Sequence, residues 1–132
     1  MMKDDKENRP FKSSIAPWLA VDDAAKAVDF YQAAFGAAEL YRLDDGEGRP
    51  VIAELAVGEA GFWVQADAGA GIGNGGGPIR FILTVADPDA VFGQAIRAGA
   101  SEIVPVGEGH GWRIGRLADP FGYHWEVGRR LE

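Results

Sequence analysis

The chain has no cysteine, which excludes disulfide staples, thiolate metal sites and a cysteine nucleophile. It also lacks any apolar run near the roughly 20 residues that cross a bilayer. The segment from Met1 to Lys12 alternates charges and carries no apolar core, so neither a secretory signal nor a membrane partner is expected. Basic residues are outnumbered, 13 against 20 acidic, for a net charge of -7 with no Lys/Arg cluster. A nucleic-acid partner is therefore not expected, because phosphate contacts need a basic footprint. Histidine is scarce, with only His110 and His124. These absences suit a cytoplasmic protein.

What remains is 132 residues of ordinary apolar content, long enough for one domain with a sizeable core and short for two. A polar arm (1–13) precedes an expected domain at 14–130. Ile15 to Val21 reads as a strand. Asp23 is placed to cap a helix whose face is Ala24, Ala27, Val28, Tyr31 and Phe35, and Gly36 is placed to end it. Strand-like runs follow at Ala38 to Leu43, Pro50 to Val57 and Gly61 to Ala66. A glycine-dense linker (67–78) then divides the chain. It lacks Gly-Lys-Ser/Thr, so it is not a phosphate loop.

Beyond the linker the same order returns. The strand Ile79 to Val85 leads to Asp87-Pro88, a strong helix start, and the helix runs to Ala98-Gly99. Strands are expected near Ser101 to Val106, Trp112 to Leu117 and Tyr123 to Gly128, with Gly107 to Gly111 as an exposed loop carrying His110. Val21-Asp22-Asp23 matches Val85-Ala86-Asp87, and Phe35-Gly36-Ala37 matches Ala98-Gly99-Ala100. The order is a duplication. It predicts an α+β fold of two β-α-β-β-β modules (14–66 and 79–130) whose mixed sheets face each other around a cleft.

Strand side chains alternate between faces. With the apolar set turned to the helices, the other face collects Trp18, Trp63, Gln65, Arg80, His124 and Glu126. Such a polar set is costly to bury unless paired or solvated, so an Arg80–Glu126 ion pair and ligand contact are both expected of it. His124 and Glu126, two residues apart on one face, are candidates for proton transfer, with Glu126 orienting the imidazole. The Asp44-Asp45 and Glu47 cluster has no EF-hand spacing and reads as a solvated turn.

Two stretches carry a family resemblance: Asp23 to Tyr31 with Phe35-Gly36-Ala37, and Asp119-Pro120-Phe121-Gly122-Tyr123-His124-Trp125-Glu126. With Ile52 to Leu55 and Gly111-Trp112-Arg113, the chain resembles the vicinal oxygen chelate superfamily (glyoxalase I, bleomycin-resistance proteins, extradiol dioxygenases), most of all its PhnB-like branch. The resemblance implies a small-molecule ligand and an isologous homodimer. It adds Trp112 and Arg113 to the ligand-binding set. In metal-dependent members, four ligands come from positions that here are Ala16, Gln65, Arg80 and Glu126. Alanine has no donor atom and a guanidinium is a fixed cation, so no cofactor is expected. If nickel, cobalt, zinc or manganese is taken, Gln65 and Glu126 would hold it. The favoured expectation is a small-molecule-binding protein of the bleomycin-resistance type without the full metal site. The alternative is a metal-dependent glyoxalase-like lyase, isomerase or epimerase with Glu126 as base.

Overall fold

A computed structural model describes residues 13–70 and 79–132. The expected arm up to residue 12 and linker positions 71–78, with most of the Gly69 to Gly77 run, lie outside the described residues. The first module runs β1 (Trp18–Val21), α1 (Ala24–Phe35), β2 (Ala38–Asp44), β3 (Pro50–Val57) and β4 (Ala60–Ala66). The second runs β5 (Arg80–Thr84), α2 (Pro88–Ala98), β6 (Ser101–Gly109), β7 (Trp112–Ala118) and β8 (His124–Arg130). Each forms a four-stranded sheet with its first strand parallel to its fourth, in the orders β1-β4-β3-β2 and β5-β8-β7-β6. The identical orders establish the duplicated α+β architecture.

Local chemistry sets the boundaries. The Asp23 carboxylate accepts from Lys26 N–H at 3.1 Å, and Asp87 repeats the cap on Ala90 N–H at 3.1 Å with Pro88 at the first helical position. Gly36 closes α1 in the left-handed region at φ 70°, where a Cβ would be strained. Asp45 accepts from the Glu47 and Arg49 N–H groups, which makes its loop the expected polar turn.

Three expectations are corrected. The first strand begins at Trp18 rather than Ile15, because Pro17 has no N–H for the ladder, although its carbonyl still accepts from Trp63 N–H. β6 continues to Gly109, so the expected loop shrinks to a His110-Gly111 tip with φ 54° and 83°. Positive φ at both central positions suits a tight hairpin turn. The last strand begins at His124, since the Tyr123 N–H turns instead to the Asp119 carboxylate.

The helix-side faces of the two sheets meet in one core. Tyr31 from α1 lies among Phe62 of β4 (5.1 Å between ring centroids), Trp125 of β8 (5.7 Å) and Phe121 (6.0 Å). Phe81 of β5 packs on Trp125 at 4.9 Å. Buried at the centre, Asp119 accepts from Phe121 and Tyr123 N–H (2.9 Å each), from Trp125 Nε1–H (2.9 Å) and from the Tyr31 hydroxyl across the module boundary. Gln94 of α2 donates to the Ala33 and Ala34 carbonyls of α1, and Tyr123 O–H donates to the Ala20 carbonyl. Among the described residues no helix is long and apolar enough to cross a membrane.

Burial pushes the Asp119 carboxyl above its ordinary value, and its four donors pull it back. Asp119→Asn turns an amide N–H₂ toward buried donors, and the expected loss of stability at neutral pH is about 2–4 kcal/mol, measured by urea unfolding. A raised folded value means that ionisation works against the fold. The contribution is full below the unfolded value of about pH 4 and declines as pH rises through the folded one. The wild-type advantage over Asp119→Asn is expected to shrink over that window.

Candidate functional site

Because both helix-side faces are spent on the shared core, the other face of each sheet turns away from it. On the first sheet, register places Trp18 opposite Trp63, Ala20 opposite Gln65, and Glu54 between Trp63 and Tyr41. Trp18 stacks on Trp63 at 5.7 Å with 21° between planes, and Tyr41 meets Trp63 at 5.9 Å. Trp18 is 51% exposed. The result is a three-ring aromatic surface open to solvent.

On the second sheet, register places Arg80 opposite His124, Ile82 opposite Glu126, and Arg116 on the far side of Glu126. Arg80 Nε lies 3.0 Å from Glu126 Oε2, so the expected ion pair forms. The first sheet repeats this geometry in different chemistry. Trp18 stands two residues before the partner of Gln65, as Arg80 stands two before the partner of Glu126, and Trp18 Nε1–H donates to Gln65 Oε1 at 2.8 Å. In both modules a first-strand nitrogen reaches diagonally to the fourth-strand polar side chain.

The predicted residues thus divide into two groups. Trp18, Trp63 and Gln65 come together on one sheet, and Arg80, His124 and Glu126 on the other. No hydrogen bond, ion pair or ring contact joins the groups among the described residues. Trp112 lies at the far end of the second open face, under Arg130 at 5.5 Å. Arg113 leaves the site altogether. It occupies the helix-side face and binds Asp89 of α2 at 2.8 Å, because one position along a strand reverses the face. The expected orienting pair of His124 and Glu126 is also not made: Arg80 holds the carboxylate, and the buried His124 Nδ1 has no partner among the described residues. Arg116, which the sequence reading passed over, belongs to this face. The alternation Trp112, Ile114, Arg116 carried the signal.

Between the modules runs a cleft of about 790 Å³ lined by Ser14 to Pro17, the β3–β4 hairpin end with Glu54, and the β5 edge from Arg80 to Leu83, with Phe62 and Trp125 beneath. A second hollow of about 410 Å³ shares Ile15 to Pro17 and Phe81 with it and reaches Trp18 and Tyr123. Of the predicted residues, only Arg80 and Trp18 line these two hollows.

The superfamily's divalent metal does not fit this donor set. Gln65 Oε1 is taken by Trp18, the Glu126 carboxylate is neutralised by a fixed cation, and Ala16 offers nothing. Among the described residues no three His, Cys, Asp or Glu side chains gather as a metal group. The Arg80–Glu126 pair is partly exposed, 50% and 22% by side chain, so solvent screens it and Glu126→Gln is expected to change stability by no more than about 1 kcal/mol. Thermal denaturation of the two proteins side by side measures this.

The chain is similar to known proteins over most of its length. An uncharacterized protein of Mycobacterium tuberculosis, Rv0887c, is 39% identical over 126 residues, covering 88% of this chain and 74% of that protein. TioX from Micromonospora sp. ML1 superposes with a TM-score of 0.73 at 28% identity, covering 91% of this chain and 100% of TioX. A PhnB protein from Bacillus cereus shares the fold, with a TM-score of 0.69 at 19% identity over 91% of this chain and 100% of its own. Residues 14–127 match the family described as the Glyoxalase/Bleomycin resistance protein/Dioxygenase superfamily. Carrying that match over nearly its whole folded length, with the duplicated sheet order to support it, the chain belongs to this superfamily.

Proposed function

We propose that this chain is a small-molecule-binding protein that works without a metal and takes a planar ligand onto Trp18, Trp63 and Tyr41. The observation that carries the reading is the paired occupation of the two equivalent diagonals, Trp18 on Gln65 and Arg80 on Glu126. These contacts engage the groups a metal would need and leave aromatic rings facing outward. Three rings on a sheet face that the core does not use are an exposed apolar patch of the sort that marks a binding surface. The Trp18–Gln65 bond fixes one ring before any ligand arrives, which lowers the ordering cost of stacking.

The same logic supports a homodimer. Leu40, Tyr41 and Leu43 of β2 and Ile82 of β5 are 47–62% exposed, and among the described residues nothing covers the open face of either sheet. An isologous pair can lay the first sheet of one copy over the second sheet of the other, enclosing a ligand between aromatic and charged walls. A glyoxalase-like lyase or isomerase reading would require a metal held by Gln65 and Glu126, whose oxygens are already engaged by Trp18 and Arg80.

Tryptophan fluorescence tests the platform with a panel of planar cationic, neutral and anionic compounds. Quenching by at least one class is expected, and Trp63→Ala is expected to weaken that compound at least tenfold, consistent with about 1–3 kcal/mol for aromatic stacking. Calorimetry with nickel, cobalt, zinc and manganese is expected to show no tight stoichiometric uptake. Near-stoichiometric binding abolished by Glu126→Ala would replace this reading with the metalloenzyme. Light scattering is expected to give twice the monomer mass of 14.1 kDa.

A further inference from the structure

The second sheet's open face carries an excess of positive charge in an otherwise acidic chain. Register sets Arg80, Arg116 and Arg130 on it with His124, against one carboxylate, Glu126. Arg80 is occupied by Glu126, and Arg130 lies over Trp112. Arg116 is different. It stands beside Glu126 in the ladder, yet it makes no ion pair among the described residues, and its Nε is buried without a hydrogen-bond partner.

His124 is in the same position. It is 7% exposed, lies between Arg80 on β5 and the small Ala118 on β7, and its Nδ1 is buried and unpartnered. These are the two buried side-chain polar atoms without a partner among the described residues, and they flank the same stretch of β7 and β8. An unmade buried hydrogen bond costs about 1–3 kcal/mol, so two such atoms on one cationic face call for a common acceptor. That acceptor should be an anion, since Arg116 offers only donors and imidazole becomes a donor at Nδ1 by tautomer or protonation.

We infer that this face is an oxyanion subsite, in which Arg116 and His124 hold a carboxylate or phosphoryl group of the ligand. The assignment rests on the binding reading above, with its dimer that lays one copy's aromatic face over its partner's second sheet, and gives that ligand its charge: a planar body with an anionic end. The local field overrides the chain's net charge at contact range, because charges beyond about 8–10 Å are screened at physiological salt.

Benzoate, inorganic phosphate and the neutral isostere benzamide are the probes, added to the full chain while the ring protons of its two histidines are followed by NMR. His110 at the exposed hairpin tip is the internal reference. Benzoate or phosphate should move the His124 signals saturably and leave His110 nearly still. Saturation by benzoate alone identifies a carboxylate, and saturation by phosphate alone a phosphoryl group. Arg116→Gln should weaken the responding anion at least tenfold. If that variant fails to fold, Arg116→Lys keeps the charge but loses the Nε donor and should weaken it at least threefold. Equal movement of both histidines, an equal response to benzamide, or an unchanged affinity in the Arg116 variant would overturn the subsite. Quenching of Trp63 by a neutral planar compound is read in the same samples. If it persists while His124 is silent, the subsite alone fails; if it is absent while His124 responds, the aromatic platform fails and the subsite stands.

Discussion

The Asp119 carboxylate is the constraint on which the arrangement of the two modules depends. Four donors converge on its two oxygens, one of them the Tyr31 hydroxyl from the other module. A buried carboxylate is costly unless its lone pairs are filled, and here filling them requires α1 to dock against the turn before β8. Burial, followed by the charge of Asp119 beside it, raises the Tyr31 hydroxyl well above its ordinary value, so the phenol stays protonated and keeps donating. The polar node thereby fixes which surfaces of the modules face inward, and the aromatic rings around it provide the apolar burial.

Once the helix-side faces are joined, the open faces have no cover among the described residues. This explains how a protein with an ordinary core still exposes Trp18, Tyr41 and Ile82. It also explains why the six residues expected to share one cavity are found on two separate surfaces. The duplication shows through the chemistry. A first-strand nitrogen meets a fourth-strand acceptor on both sheets, as a neutral bond in one and an ion pair in the other. One scaffold thus presents an aromatic wall and a cationic wall at equivalent places.

The sequence made the repeat legible because helix caps and strand alternation are local. Asp23 with Gly36 and Asp87-Pro88 with Gly99 marked both helices, and Pro50 to Val57 was read to its final bounds. Errors fell where a distant group competes for a backbone donor. Tyr123 was read into a strand, but its N–H belongs to Asp119. Arg113 belongs to a family motif but stands on the helix-side face, and alternation along β7 puts Arg116 on the open one.

The residues by themselves determined the two helices, the approximate strand positions and the duplication, because caps and strand alternation follow from side-chain type and short-range spacing; the superfamily was legible only through its resemblance to a known family. Only the tertiary structure decided which residues meet: that Gln65 and Glu126 are already engaged, and that the two polar groups lie on separate sheets. Those outcomes rest on strand register and on the docking of modules through Tyr31 and Asp119, partners 88 positions apart. Contacts over such separations are set by how two finished surfaces fit, and no local pattern in the chain encodes that fit.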